Sequence, residues 1–265
     1  MSVYKKENHE YLKTALDSVI NQSLQPTEVV LVQDGRLTKE LYKVIEEYQI
    51  NYPKIFKTYV LNENQGLGKA LNFGLERCKY EIVARMDTDD LALPYRFDVQ
   101  IKEFEKDKDL VLLGGQIAEF EKTPEEITSY RKVPIEAVNI DKFIKKRNPF
   151  NHMTVVFKKS VVQSVGGYKD MPCFEDYWLW ARIIKARNKS RNIDKVLVHV
   201  RAGKEMIARR GGLEYAKHIF RFEKALLNLK ILNVFEFLWI TVVRCFVALL
   251  PCSFREQLYK YCLRK

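Results

Sequence analysis

Four consecutive residues, Asp87-Thr88-Asp89-Asp90, place three carboxylates directly after the apolar stretch 80–86. That stretch predicts a buried strand, so we expect the carboxylates where the strand ends in a loop. Ligands of open α/β sheets bind outside the carboxyl ends of strands, and hard divalent cations prefer carboxylate oxygens. The cluster therefore indicates a metal site facing a crevice. The alternative is that Asp89 or Asp90 caps the helix that begins at Pro94.

Acidic residues occur at two further positions where they could do chemistry. Asp34 follows the predicted strand 28–32, so its carboxylate can meet the polar edge of a ligand base, or it can form an Asp-Gly turn with Gly35. Glu175 and Asp176 precede an amphipathic helical pattern, where the helix dipole favours carboxylates on structural grounds alone. The residues themselves leave both alternatives open.

One lysine and one histidine complete the candidates. The segment Gly66-Leu67-Gly68-Lys69 opens a predicted helix, but it lacks the spacing of a phosphate-binding P-loop. A capping turn with a solvated lysine is an equal alternative. His152 could ligate a metal, contact a substrate or form a hydrogen bond within the core, and its role stays open.

The elements that position these residues alternate between helix and strand over the first half of the chain. This alternation predicts βαβ units around a mainly parallel sheet, that is, an α/β fold. The predicted helices begin after Asn8, run through 41–48, open at Gly66 and extend from Pro94 to about Lys106. The predicted strands cover 28–32, 56–61, 82–86, 110–113 and 116–120.

The first strand is short. Ser2-Val3-Tyr4 offers fewer residues than the usual ~5 to 6 of a strand. Either this strand is a stub, or the recorded start lies downstream of the true one. We favour the second hypothesis, which mass spectrometry of the native protein would disprove by finding Met1 at its N-terminus.

Composition narrows the class of protein. With 265 residues and 47% apolar residues, the chain can form a sizeable core and is neither disordered nor fibrous. We expect one domain over 1–200 and a basic helical extension over 201–265. No apolar leader followed by a cleavage site is evident, and the five cysteines form no C-x-x-C pair. These features predict a cytoplasmic protein with reduced thiols.

The extension carries much of the net charge of +11, with 13 Lys and Arg against 5 Glu. Its apolar stretch 231–251 is nearly long enough to span a bilayer, but Glu236 and Arg244 lie within it. On a helical projection the polar residues gather on one side, which predicts an interfacial helix. Trp239 and the flanking cations favour a membrane surface. The alternative is a helix packed on the main domain.

The motifs together are more specific than any one of them. In order along the chain they are Ser2-Val3-Tyr4, Val32-Gln33-Asp34-Gly35, residues 64–72, Met86-Asp87-Thr88-Asp89-Asp90, residues 148–154, Phe174-Glu175-Asp176-Tyr177 and Arg209-Arg210-Gly211-Gly212. This series resembles the family 2 glycosyltransferases of the GT-A fold. It looks most like the bacterial capsule and exopolysaccharide members of the amylovoran biosynthesis type. The resemblance covers nearly the whole chain.

The resemblance implies a nucleotide-sugar donor, most commonly UDP-linked. Ser2, Tyr4 and Asp34 would border the nucleoside, with Asp34 facing the base, and Lys69 would lie near the nucleotide. Val32-Gln33-Asp34 departs from the family pattern, because Gln33 stands where the family often has aspartate.

The same resemblance implies a metal-diphosphate site. Asp87 would approach the ribose and the metal. Asp89 would ligate Mn²⁺ or Mg²⁺, and this cation would bind the diphosphate. Arg209, Arg210 or the earlier Arg201 could hold the diphosphate in a bidentate manner, whereas a basic patch that meets lipid headgroups is the alternative.

For the reacting groups, the resemblance implies that Asp176 is the general base and that Glu175 positions Asp176 or the acceptor. The expected function is an inverting, metal-dependent glycosyltransferase of surface polysaccharide biosynthesis. It would act on a glycan or lipid-linked acceptor while peripheral on the inner face of the cell membrane. The alternative is a non-catalytic, membrane-attached subunit that binds a nucleotide sugar. An aspartate-based phosphohydrolase and a nucleic-acid-binding protein lack their supporting motifs.

Overall fold

The predicted alternation of helices and strands is present in the first half of the protein. A computed structural model describes residues 1–202, 211–251, 254, 255 and 258. The first elements are β1 (Ser2–Val3), α1 (His9–Ile20), β2 (Val29–Asp34), α2 (Lys39–Asn51), β3 (Phe56–Leu61), α3 (Leu67–Arg77), β4 (Ile82–Ala84), β5 (Leu91–Ala92) and α4 (Arg96–Lys106). As predicted, Asn8 caps α1, because its side chain accepts a hydrogen bond from the Glu10 amide at 2.8 Å.

The second half begins with a long strand and ends in two helices. Its elements are β6 (Leu110–Phe120), β7 (Ile127–Arg131), α5 (Ala137–Phe143), a 3₁₀ turn (His152–Thr154), β8 (Val156–Lys158), α6 (Lys159–Ser164), α7 (Glu175–Lys185), β9 (Lys189–Arg201), α8 (Leu213–Asn228) and α9 (Val234–Leu249). The predicted α/β class therefore holds for the part of the chain that the structure describes.

The sheet is parallel only in part. Strands β1, β2 and β3 form a parallel sheet, with Val29 opposite Phe56 and Asp34 opposite Leu61. The larger sheet has the order β4-β8-β6-β9-β5, with β7 on β6, and among the strand pairs that the structure describes in it only β6–β9 is parallel. The prediction of a mainly parallel sheet is wrong for this larger sheet, because β4 pairs with a strand from the weakly patterned second half.

A second correction concerns β6, which runs as one strand through Gly114-Gly115 instead of as two strands around it. A Cβ on Gly114 would lie 2.3 Å from Oδ1 of Asn192, and one on Gly115 would lie 2.3 Å from Cδ1 of Leu197. These glycines therefore admit the side chains of the neighbouring strand β9. They do not mark a turn.

The C-terminal helices pack directly on the segment that carries Glu175 and Asp176. The ring of Phe222 on α8 stacks on Phe174 at 4.6 Å and lies 4.5 Å from the ring of Tyr177. All three rings are buried. The helices α8 and α9 thus share a core with α7, and the division at residue 200 stays a prediction.

Helix α9 has one packed side and one exposed apolar side. Ala248 is buried against the core, while Phe235 and Trp239 are 84% and 72% exposed. Leu238, Val242 and Phe246 are exposed as well. In the described part of the chain, no helix is both long enough and apolar enough to cross a bilayer.

Candidate active site

The acidic loop that follows β4 is held in place through Thr88. The hydroxyl of Thr88 donates a hydrogen bond to Oε2 of Glu7 at 2.7 Å and lies 3.4 Å from the carbonyl oxygen of Ser2. Ser2 belongs to β1, and Tyr4 lies in the exposed turn that follows it. The structure therefore brings Ser2 next to the acidic loop, and its contact with a nucleoside stays a prediction.

Asp90 anchors the other end of the loop and does not cap a helix. Its Oδ1 accepts a hydrogen bond from the backbone amide of Arg201 at 2.9 Å. Helix α4 begins at Arg96 with Tyr95 as its N-cap residue, and no side chain caps it. The capping alternative for Asp89 or Asp90 is therefore wrong: Asp90 ties the loop to the end of β9.

Asp87 forms an ion pair with Arg85, which lies two residues earlier in the segment that follows β4. Arg85 is only 4% exposed, and its Nε and Nη1 lack a hydrogen-bond partner among the described residues. Burial raises the pKa of Asp87, but Arg85 and His152 lower it by more, so that the pKa lies below its usual value. Asp87 is therefore ionised at neutral pH.

In contrast to Asp87, Asp89 has a pKa above its usual value. Burial raises the pKa of Asp89 to about 7, with Asp87 and Glu7 adding to the rise. Crowded carboxylate oxygens of this kind suit a hard divalent cation, which would relieve their mutual repulsion. Among the described residues, no three ligating side chains converge on one point. A cation held by Asp87 and Asp89 would therefore take its remaining ligands from substrate or water.

Asp176 lies in the first turn of α7, where both of its carboxylate oxygens accept hydrogen bonds. Oδ2 accepts from Nδ2 of Asn148 at 2.6 Å, and Oδ1 accepts from the amide of Tyr177 at 2.7 Å. The side chain is half-buried. Such a carboxylate is oriented and accessible, as a general base must be.

Glu175 lies beside the first turn of α3. A Cβ on Gly68 would be 3.5 Å from Cγ of Glu175, so the start of α3 and the start of α7 are in contact. Burial raises the pKa of Glu175, and the carboxylates of Asp176 and Asp170 add to the rise. Lys69, one residue further along α3, is exposed.

His152 lies in the segment between Asn148, which contacts Asp176, and Val155, which contacts Arg85. Its Nε2 forms a hydrogen bond of 3.0 Å with the hydroxyl of Tyr168. Burial lowers the pKa of His152 to about 4, and the Arg85 charge lowers it further, while Asp176 and Asp87 act in the opposite direction. The imidazole is therefore neutral at physiological pH. Its segment also contacts both acidic groups, because Asn148 donates to Asp176 and the carbonyl of Val155 accepts a hydrogen bond of 2.8 Å from the amide of Arg85, just before the acidic loop.

Asp34 is more constrained than the sequence indicated. Its carboxylate accepts hydrogen bonds from the amide of Gln65 at 2.7 Å and from the amide of Gly66 at 3.0 Å. Gly35 has a φ of +82°, and a Cβ there would lie 2.7 Å from the amide nitrogen of Asn64. Asp34 thus fixes the loop that opens α3. Its predicted contact with a base remains a prediction.

We expect Asp34→Asn to loosen this loop. An asparagine keeps one acceptor oxygen but turns an amino group toward the second backbone N–H, so a hydrogen bond to a charged group, worth about 1.5–3 kcal/mol, is lost. Hydrogen exchange at the amides of Gln65 and Gly66 should accelerate roughly tenfold, since about 1.4 kcal/mol is a factor of ten. Glu63→Gln, an exposed change in the same loop, is the control. Unchanged exchange at both amides would contradict this role.

Three residues that orient the acidic groups were not predicted from the sequence, and two predicted site residues lie outside the described part of the chain. Arg85 could have been noticed, since it is the cation nearest in sequence to the three aspartates. Asn148 lay within a quoted motif but had no assigned role, and nothing local pointed to Glu7. Arg209 and Arg210 lie outside the described residues.

Similarity to known proteins shows which family this chain belongs to. A family model described as "Glycosyl transferase family 2" matches residues 1–165. The chain belongs to glycosyl transferase family 2. This family 2 protein is therefore a glycosyltransferase, as its resemblance predicted.

Two relatives of this chain are glycosyltransferases of similar length. The family 2 chain is 37% identical over 265 residues to the UDP-Gal:alpha-D-GlcNAc-diphosphoundecaprenol beta-1,3-galactosyltransferase of Escherichia coli, covering 100% of this chain and 95% of that protein. It is 38% identical over 260 residues to the amylovoran biosynthesis glycosyltransferase AmsE of Erwinia amylovora, covering 98% and 96%. The predicted likeness to the amylovoran type is thereby confirmed.

A solved structure supports the GT-A-like fold of this family 2 protein. S. aureus TarS 1-349 in complex with UDP-GlcNAc superposes with a TM-score of 0.69 at 17% identity, covering 99% of this chain and 75% of that one. At that identity the likeness concerns the fold alone.

Proposed function

We propose that this glycosyltransferase moves one sugar from a UDP-sugar to a lipid-linked acceptor, with inversion at the anomeric carbon, in surface polysaccharide biosynthesis. The observation that carries the proposal is the segment 148–155, which contacts both acidic groups: Asn148 donates a hydrogen bond to Asp176 at 2.6 Å, and the carbonyl of Val155 accepts one of 2.8 Å from the amide of Arg85, just before the acidic loop. The acidic loop, which is proposed to bind the donor, therefore lies near the start of α7, which carries the proposed base. The Escherichia coli relative is named for a UDP-linked donor and a diphosphoundecaprenol-linked acceptor, and the Erwinia relative is named for the biosynthesis of amylovoran.

The donor half is formed by β1, the loop after β2 and the acidic loop. Ser2 and Tyr4 border the nucleoside, and Asp34 holds the loop that leads to Lys69. Asp87 and Asp89 would hold Mn²⁺ or Mg²⁺, which would neutralise the charge of the diphosphate when bound. Their crowded carboxylates support this assignment.

Arginines at two places in the chain are proposed to add positive charge to the donor site. Arg85 orients Asp87 through their ion pair, and its remaining N–H groups add positive charge beneath the acidic loop. Arg209 and Arg210, which follow β9 in sequence, are proposed to contact the diphosphate oxygens in a bidentate manner.

The acceptor half is built around Asp176. The acceptor hydroxyl attacks the anomeric carbon from the face opposite the diphosphate, and Asp176 takes its proton. A bond forms between the acceptor oxygen and the anomeric carbon as the bond to the phosphate oxygen breaks, which inverts the configuration. Asn148 holds the accepting carboxylate in place, and Glu175 positions the acceptor.

The exposed face of α9 is proposed to hold the enzyme on the membrane that contains the acceptor. Phe235 and Trp239 would enter the headgroup region, where aromatic side chains are favoured, while the basic residues of the extension meet anionic lipids.

We expect the double change Phe235→Ser and Trp239→Ser to weaken binding to anionic lipid vesicles about tenfold or more. Full burial of one large apolar side chain is worth about 1.5–3 kcal/mol, and about 1.4 kcal/mol is a factor of ten. Co-sedimentation with vesicles measures the effect. Ile50→Ser is the control, because Ile50 is 70% exposed on α2. Equal losses in the double variant and the control would contradict the assignment.

A thermal-shift series with nucleotide sugars, with and without Mn²⁺, tests the donor proposal. We expect a UDP-sugar with Mn²⁺ to raise the melting temperature, because a ligand that binds only the folded state stabilises it. Donors with another nucleotide should have little effect. A shift that is independent of both Mn²⁺ and the nucleotide would contradict the proposed donor site.

A further inference from the structure

A short basic segment, residues 145–148, joins the start of α9 to the proposed base. Its sequence is Lys-Lys-Arg-Asn. At one end, Nζ of Lys145 forms an ion pair of 2.8 Å with Oε1 of Glu236, which lies in the first turn of α9. At the other end, Nδ2 of Asn148 donates a hydrogen bond of 2.6 Å to Oδ2 of Asp176. One segment therefore contacts both the exposed helix and the base.

The backbone of this segment is fixed relative to Asp176. On its amino-terminal side, the carbonyl of the buried Ile144 accepts a hydrogen bond of 2.6 Å from the hydroxyl of Tyr177, the residue after Asp176. On its carboxyl-terminal side, Nη2 of Arg131 donates to the carbonyl of Asn148 at 3.0 Å. Cations on such a fixed backbone lose little freedom when they bind a ligand.

Three cations follow one another in this segment, and they form a turn that we call the basic turn (residues 145–147). The amides of Lys146 and Arg147 both donate to the carbonyl of Phe143 at 2.9 Å, which closes the turn after α5. Lys146 is exposed, whereas Lys145 and Arg147 are half-buried. The charge of Lys145 is paired with Glu236. The ammonium group of Lys146 is therefore the one that a ligand in solution meets first.

The position of the basic turn matches the chemistry of a lipid-linked acceptor, which carries phosphate between its sugar and its lipid. When the acceptor hydroxyl lies at Asp176, only the width of the sugar separates it from this phosphate. Lys146 is two residues from Asn148, so their Cα atoms lie at most about 7 Å apart. The exposed aromatic side chains of Phe235 and Trp239 favour the headgroup level of a bilayer, which is also the level of the phosphate of the acceptor.

We propose that the basic turn binds the phosphate groups that link the acceptor sugar to its lipid, an assignment that rests on the proposed function. Lys146 supplies the main charge, because a lysine ammonium binds phosphate oxygens as a point charge. The acceptor hydroxyl then lies at Asp176, and the lipid enters the bilayer beside Phe235. The acidic loop is left for the diphosphate of the donor.

The phosphate of a phospholipid headgroup has the same chemistry and is a second source of this ligand. A turn that meets only headgroups requires no connection to the base. The basic turn has one, because Asn148 follows it directly and holds the carboxylate of Asp176. This connection favours the acceptor over the headgroup.

The test is calorimetric titration of the full chain with geranyl diphosphate, a soluble lipid diphosphate, at saturating UDP and Mn²⁺ so that the donor site is occupied. We expect the wild type to bind this probe and not geraniol, which lacks phosphate. Lys146→Ala should weaken binding at least about fivefold, the usual effect of one lysine at an anionic surface, and Lys146→Arg should keep the wild-type affinity. Lys43→Ala, which removes an exposed cation from α2, is the control.

Co-sedimentation with phosphatidylglycerol vesicles separates the two sources of phosphate. If Lys146→Ala loses vesicle binding but keeps its affinity for geranyl diphosphate, the turn meets headgroups only, and the proposal is overturned. It is also overturned if the wild type does not bind geranyl diphosphate beside UDP, or if Lys146→Ala and Lys43→Ala bind it equally well. Because binding is measured without sugar transfer, a protein that binds the probe through Lys146 but transfers no sugar contradicts the proposed function alone.

Discussion

Asp176→Asn is expected to lower the rate of sugar transfer by about 10²- to 10⁴-fold, the usual contribution of a general base. Asparagine keeps the shape of the side chain and can still accept the hydrogen bond that Asn148 donates. It cannot take a proton at neutral pH. The turnover number should therefore fall while the affinity for the donor stays the same.

Transfer kinetics and calorimetric titration with the donor measure these two quantities separately. Asp170→Asn is a matched control from the same segment, because its carboxylate pairs with Arg221 on the surface. That variant should behave as the wild type. Near-normal turnover in Asp176→Asn would rule out Asp176 as the base.

Asp89→Ala is expected to abolish Mn²⁺-dependent donor binding as well as transfer. The charge stabilisation that a bound metal supplies is worth several kcal/mol, which corresponds to at least about a hundredfold in rate. In contrast to Asp176→Asn, this variant should lose donor affinity. The two variants therefore separate the two halves of the site.

Chelation provides an independent measurement. EDTA should lower the donor affinity of the wild type to the level of Asp89→Ala and should have no further effect on that variant. Asp109→Ala, which removes an exposed carboxylate far from the acidic loop in sequence, is the control. Retained Mn²⁺-dependent binding in Asp89→Ala would remove Asp89 from the metal site.

The sequence predicted the first half of the fold well because local signals determine it. The cap at Asn8 and the strand Phe56–Leu61 each follow from neighbouring residues. The second half depends on distant partners. Nothing near Gly114 or Gly115 in sequence reveals that Asn192 and Leu197 occupy the space where side chains at these two positions would lie. The one strand was therefore predicted as two.

The same distinction applies to the site. Its carboxylates could be proposed because their order along the chain resembles a family. The groups that orient them could not be, since Thr88 meets Glu7 across 81 residues and Asp176 meets Asn148 across 28. Such contacts become visible only when the sheets and helices are assembled.

The most direct test of the account is mass spectrometry of a lipid-diphosphate-sugar acceptor after incubation with the purified protein, Mn²⁺ and the UDP-sugar that gives the largest thermal shift. We predict an acceptor heavier by one sugar residue, one UDP released for each sugar transferred, and an anomeric configuration opposite to that of the donor. Release of UDP without a heavier acceptor, or a product that retains the donor configuration, would contradict the proposed roles of the acidic loop and Asp176.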